Sequence, residues 1–477
     1  MIGAFAVPSS IASVTSTYQR HVLRAVTAVV RQHPNLRLQI RRSKQVDHFV
    51  HLRVLDIGKL VEWWQDVYPP FSTDGDTDSD RCLEGFLSDQ NSTPFTDPLK
   101  PLWRIICFPM DSTKANDNST GPKRLAICFV YHHAIADGMS GSAVMAALRD
   151  ALADGKIMAS DEDGHGKEEG NEADFTLRNL PGEISPSMDD LIPYHLTWKS
   201  RLRSASHRTW QRLGLRGACS TPVWTGDVAQ LPAERNDARA RTLIRVIRLS
   251  VVRTKRLQER CKAHSTSITA MLQVLVGSAL FARYPEAQAL RCATALSLRR
   301  FLPPSAGIDN AQLGVWIDAF TWIYKRDDLH PGLRVASEDA LWKVMHDSKR
   351  KINRQIRKGL NDLSFVSLQG KSDFKPQLRD LLGKPRANTY SITNLGLLPE
   401  KKQVPREASP MADAWSLESV LFSQSAHVNG SAVQFCAVSC EKGGLSISMN
   451  WQDHVVQEGD MDQVKTLLED LLLRWSS

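Results

Sequence analysis

The chain has 477 residues, 42% hydrophobic and 23% charged, with a formal net charge of +8. This length suggests two lobes rather than one core, and no apolar run is long enough to span a bilayer. The start lacks the charged region and long apolar core of a secretory signal. Eight cysteines without a CxxC pair argue for reduced thiols in an intracellular, cytoplasmic protein. The scattered basic residues, without aromatic interleaving, argue against nucleic acid as a partner.

In chain order, a helix is expected over about Thr17–Gln32, with Val22, Leu23, Ala25, Val26, Val29 and Val30 on its apolar face. His33-Pro34 stops it, since proline disfavours a helical residue before it. Residues 35–40 then alternate as a strand. A second strand, His48–Val54, leads to a helix near Lys59–Trp64. Pro101-Leu102-Trp103-Arg104 opens a strand over Ile105–Phe108, and residues 111–123 form a polar, hairpin-like loop.

Residues 125–142 carry the chemistry. Leu125 through Tyr131 is an almost unbroken apolar run, as for a strand covered on both faces. His132, His133, Asp137 and Gly138 follow at its end, and a helical pattern starts after Ser140. A strand end holds a side chain still while the loop leaves it open. A histidine pair can also be ordinary, or a metal pair, but neighbours on a strand point to opposite faces and do not easily share one ion.

Beyond this helix, Asp161–Asp174 holds seven acids against one lysine, so 159–175 reads as a disordered acidic loop. Leu191–Arg216 mixes Trp198, Leu202 and Trp210 with several arginines. It reads as a crossover with a solvated basic face, a membrane-surface helix being the alternative. The expected division is a first lobe over 1–195, a crossover over 196–235 and a second lobe over 236–477. The second lobe opens with a strand, Thr242–Leu249, and a helix over Ser267–Tyr284 capped by Thr266 or Ser267. A strand over Ala293–Leu298 runs into Arg299. The helix Leu341–Lys358 carries Lys343, Arg350, Arg354 and Arg357 on one stripe, by default a solvated face. A strand over Tyr390–Gly396, a hairpin over Val433–Ser439 and Leu445–Trp451, and a helix over Met461–Trp475 close the chain.

The run His132-His133-Ala134-Ile135-Ala136-Asp137-Gly138 matches the HHxxxDG motif and resembles the CoA-dependent acyltransferase superfamily. That group includes chloramphenicol acetyltransferase, condensation domains and fungal alcohol O-acetyltransferases. The Leu421–Ser425 "LFSQS" run followed by Val428-Asn429-Gly430 looks most like the fungal alcohol acetyltransferases, and the plant DFGWG element is absent. The resemblance implies an α/β (α+β) fold of two chloramphenicol-acetyltransferase-like lobes, each a mixed sheet flanked by helices, with a tunnel between them. It makes His133 the general base and pairs Asp137 with Arg299 to hold the loop, with His132 and Gly138 in supporting roles. It puts Ser391, Thr393, Asn394 and Ser423 near the thioester or its oxyanion, and Lys343, Arg350 and Arg354 as candidates for the CoA phosphates. The co-substrate it implies is acyl-CoA (acetyl-CoA), with no permanently bound cofactor and no metal. The partner is a small-molecule alcohol acceptor, and the enzyme is expected to be a monomer, with peripheral membrane contact left open. An amine acceptor, a condensation-type reaction and an inactive binding homologue are the alternatives.

Overall fold

The computed structural model describes residues 1–12, 14–43, 47–65, 77–110, 123–154, 175–192, 221–228, 241–329, 338–361, 363, 375–398 and 414–477. The acidic 159–175 segment (but for its last residue), the polar loop up to 122 and most of the basic 191–216 stretch lie outside them.

The chain begins with a strand, β1 (Ile2–Ala6), followed by the helix Thr15–Gln32. Pro34 at the first position of a 3-10 turn keeps residues 34–37 out of the expected strand, which starts at Leu38. β2 (Leu38–Arg41) and β3 (His48–His51) form an antiparallel pair, and β4 (Val54–Asp56) follows. Only Ile57–Leu60 of the next helix is helical. Val61–Trp63, expected to continue it, is strand β5, drawn into parallel pairing with Ile105–Cys107. The β-branched and aromatic residues there suit a pleated, half-buried surface.

A helix over Thr77–Ser92, absent from the sequence expectation, buries Leu83, Phe86, Leu87 and Gln90 at helical spacing. Strands β6 (Trp103–Pro109) and β7 (Arg124–Tyr131), the helix Gly138–Leu152 and β8 (Thr176–Arg178) complete this part. The second half holds β9 (Val223–Trp224), β10 (Thr242–Leu249), helices Val251–Ala263 and Ile268–Arg283, β11 (Ala289–Ser297) and β12 (Ile317–Lys325). The helix Glu338–Lys358, β13 (Asn388–Leu397), β14 (Ser416–Leu421), β15 (Ser431–Cys440), β16 (Gly444–Gln452) and the helix Glu458–Trp475 follow.

Two main sheets result. The first runs β14-β1-β7-β6-β5 and the second β10-β16-β15-β13-β11-β12, with β9 beside β11. β14 belongs to the C-terminal half of the sequence yet pairs antiparallel with β1. The lobes also share a hydrophobic cluster in which Ile2, Phe86, Ile106 and Cys128 meet Ile244, Val246 and Leu421.

Period-two alternation gives the second sheet two unlike faces. Tyr390, Ile392, Phe435, Ile447, Met449 and Trp451 pack on the helices Ile268–Arg283 and Glu458–Trp475. The opposite face carries Ser391, Thr393, Gln434, Ser448 and Asn450, and the functional cavity opens over its Thr393 end. Among the described residues no single helix is long and apolar enough to cross a membrane.

Candidate active site

β7 lies between β1 and β6, and its residues Leu125–Phe129 are buried, so the strand end is held rigidly. The His132 N–H donates to Leu102 O at 2.8 Å, and its ring Nδ1 accepts the Ala134 N–H at 3.1 Å, turning the chain. Burial, and then the neighbouring His133 and Arg42, lower the pKa of His132 and favour its neutral ring. That ring stands edge-on to Phe95. His132 is thereby committed to the turn, whereas His133 is exposed at the cavity wall.

Asp137 caps the helix Gly138–Leu152, accepting the Ser140 N–H at 2.9 Å. Its two oxygens also accept Arg299 Nη1 at 2.6 Å and Nη2 at 2.9 Å, and Oδ2 accepts the Trp316 N–H at 3.2 Å. The two side chains are 2% and 0% exposed. Arg299 Nη2 further donates to Ser140 Oγ and Gln312 O, and the guanidinium lies 4.9 Å from the Trp316 ring centre. With its lone pairs spent in this way, the carboxylate shapes the loop and has nothing left to polarise an imidazole.

Several contributors were not flagged by the sequence. Asn35, buried after the first helix, donates to Ile135 O and Leu313 O and accepts the Ser185 N–H. It therefore ties the histidine loop to a segment of the second lobe. Gly314 O accepts the Asp137 N–H at 3.0 Å, and the Gly314 N–H donates to Ser140 Oγ at 3.1 Å. The Tyr131 hydroxyl donates to Asp137 O at 3.1 Å. At Gly138, which the sequence did single out, a Cβ would stand 2.7 Å from Leu395 Cδ2, the movable end of a partly buried side chain across the lobe boundary.

These elements surround a cavity of about 520 Å³, within the usual range for small-molecule sites. One wall holds His132, His133, Phe95, Phe129 and Tyr131; the other holds Ser297, Thr393, Asn394 and Leu395 from the second sheet. Ser423 and His427 extend the lining. Thr393 and Asn394 thus line the cavity. Asn394 is partly engaged, donating to Thr269 Oγ1 and accepting the Gly396 N–H. Ser391 shares the Thr393 face but lies deeper, opposite Ala293, and its buried hydroxyl has no hydrogen-bond partner. Ser423 is buried and accepts Asn91 Nδ2 at 3.0 Å. Lys343, Arg350 and Arg354 are exposed on their helix, Arg350 beside Asp347, and the cavity lining does not include them.

His427 carries the clearest second signal. It is an exposed residue that lines the cavity. Desolvation, with smaller contributions in the same direction from the nearby His133 and Arg386, lowers its pKa to about 4. Its position next to the Phe422–Ser425 run was the available clue.

Comparison with known proteins bears on the family and the fold. The family model for alcohol acetyltransferase matches residues 63–472. The chain is 27% identical over 436 residues to the probable alcohol acetyltransferase crmB of Aspergillus fumigatus, covering 88% of this chain and 82% of that one. It shares its fold with TRI3 trichothecene 15-O-acetyltransferase of Fusarium sporotrichioides, at a TM-score of 0.65 and 11% identity, covering 99% and 90% of the two chains. It also resembles the first condensation domain of the calcium-dependent antibiotic synthetase, at a TM-score of 0.53 and 12% identity over 100% and 92%. The α/β fold anticipated from the sequence is therefore the observed one, and the chain belongs to the alcohol acetyltransferase family, an acyltransferase by that membership.

Proposed function

We propose that this acyltransferase moves an acetyl group from a CoA thioester to the hydroxyl of a small-molecule alcohol, with His133 as general base. The observation that carries the reading is the His133 imidazole, exposed on a cavity walled by both lobes, at the end of a loop fixed by Asp137 and Arg299. Imidazole is the side chain whose ordinary titration spans neutral pH, so it can take a hydroxyl proton and return it. The acceptor oxygen attacks the thioester carbonyl carbon as its proton passes to His133. Collapse of the tetrahedral species breaks the C–S bond, and the CoA sulfur receives that proton.

Transfer is direct, without an acyl-enzyme. Cys128, beside the cavity, is buried and its thiol pKa is raised by desolvation, which disfavours the thiolate a covalent route needs. Holding both substrates in one cavity supplies the proximity such a route requires.

Thiol release from acetyl-CoA, followed with panels of alcohols and amines, tests the reading. Release is expected with alcohols, and His133→Ala is expected to slow it by about 1,000-fold. Turnover surviving in that variant, or release with amines alone, would overturn it.

A further inference from the structure

The mechanism above leaves one cavity-lining imidazole unused. His427 sits on the loop between β14 and β15, and three contacts hold that loop. Its carbonyl accepts Arg386 Nη1 at 2.6 Å. Its backbone N–H reaches the Gln434 carboxamide oxygen at 2.6 Å, with that amide turned so its oxygen meets donors. Its ring Nδ1 accepts the Ser431 N–H at 3.5 Å. Arg386 is itself buried and bonded to Gln452 Oε1 and Asp227 O, so the loop is anchored to the second sheet.

With Nδ1 an acceptor, the neutral ring carries its proton on Nε2, which makes that nitrogen the ring's donor on a residue lining the cavity. Resting on the reading above, we propose that His427 is a second catalytic residue, whose Nε2–H donates to the thioester carbonyl oxygen as it becomes an oxyanion. As the acceptor oxygen forms its bond to carbon, the carbonyl electron pair moves to oxygen and is met by this N–H, while the hydroxyl proton goes to His133. On collapse the pair returns, the thiolate leaves and takes the proton from His133. His427 neither gains nor loses a proton in the cycle.

Two features favour a donor of this kind. His427 and His133 line the same cavity, and charge on His133 disfavours charge on His427. A neutral ring does not repel the imidazolium that forms at His133, and a loop held through Arg386, Gln434 and Ser431 needs little reorganisation when the oxyanion appears. Of the other donors anticipated for this role, Ser391 lies deeper in the sheet and Asn394 is engaged with Thr269 and Gly396. Thr393 is left to share the task, together with the second Nδ2 hydrogen of Asn394 and the Ser423 hydroxyl, which accepts from Asn91.

The test is steady-state kinetics of thiol release from acetyl-CoA with an accepted alcohol, for His427→Phe, His427→Gln and His427→Met beside wild type and His133→Ala. Gln returns an N–H near the Nε2 position, and Met has a similar length with no donor. Phe and Met are expected to lower kcat by about 100-fold with the acetyl-CoA KM little changed, and Gln to stay within about tenfold of wild type. The Gln–Met contrast keeps the test valid where Phe does not fold. Wild-type kcat in Met, equal losses in Gln and Met, or a loss confined to KM would overturn the inference. Release that needs His133 yet survives in the Met variant removes only this inference; no release from wild type with any alcohol removes the proposed function as well.

Discussion

Asp137 and Arg299, 162 positions apart in the sequence, meet through two hydrogen bonds in a site almost closed to water. One comes from the loop after β7 and the other from the turn after β11, so the pair sets how the lobes stand about the cavity. Removing either side chain leaves a buried charge without its partner. Arg299→Ala is expected to cost about 3–5 kcal/mol of stability. Arg299→Lys, lacking the planar fork, should fold better yet lose about 100-fold in kcat through misplacement of His133. Denaturant unfolding and thiol release check the two halves, and a fully active lysine variant would refute the orienting role.

Gly138 and Leu395 make a second seam. Gly138→Ala places a methyl against Leu395 Cδ2, the movable end of a partly buried side chain, and is expected to cost at most about 1 kcal/mol. Leu395→Ala in the same chain should return most of that loss. Simple addition of the two single costs, measured by denaturant unfolding, would show that the crowding lies elsewhere.

His33 gives a pH-dependent term. Burial lowers its pKa from 6.5 to about 4. Above pH 6.5 the ring is neutral in both folded and unfolded chains and adds no slope. As pH falls toward 4 the unfolded chain binds a proton that the folded chain refuses, so stability drops, by about 3 kcal/mol in all. Below that both states are protonated and the loss stops growing. His33→Leu should flatten this part of the stability profile; parallel profiles for the two proteins would contradict the assignment.

Much of the site was readable in the residue order because its signals are local. The apolar run into His132-His133, the Asp137 cap and the arginine just after β11 each stand within a few residues of a recognisable strand. Asn35 and Gly314 were not readable, since their role lies in backbone groups that only the fold brings near. The Asn35–Leu313 bond spans 278 positions. Val61–Trp63 was misread as helix because the parallel partner that makes it a strand lies some forty residues on. The stripe of Lys343, Arg350 and Arg354 has helical spacing whether it meets phosphate or water, and spacing alone does not distinguish the two.

The position of Ser416–Leu421 beside Ile2–Ala6 has a bearing on synthesis. Until residue 421 has left the ribosome, the nascent first sheet ends in an open row of amides and carbonyls along its opening strand. Such a row invites pairing with other chains. Cutting the gene between the lobes would leave that edge permanently bare, so the halves are expected to aggregate when made apart and to need each other from the start.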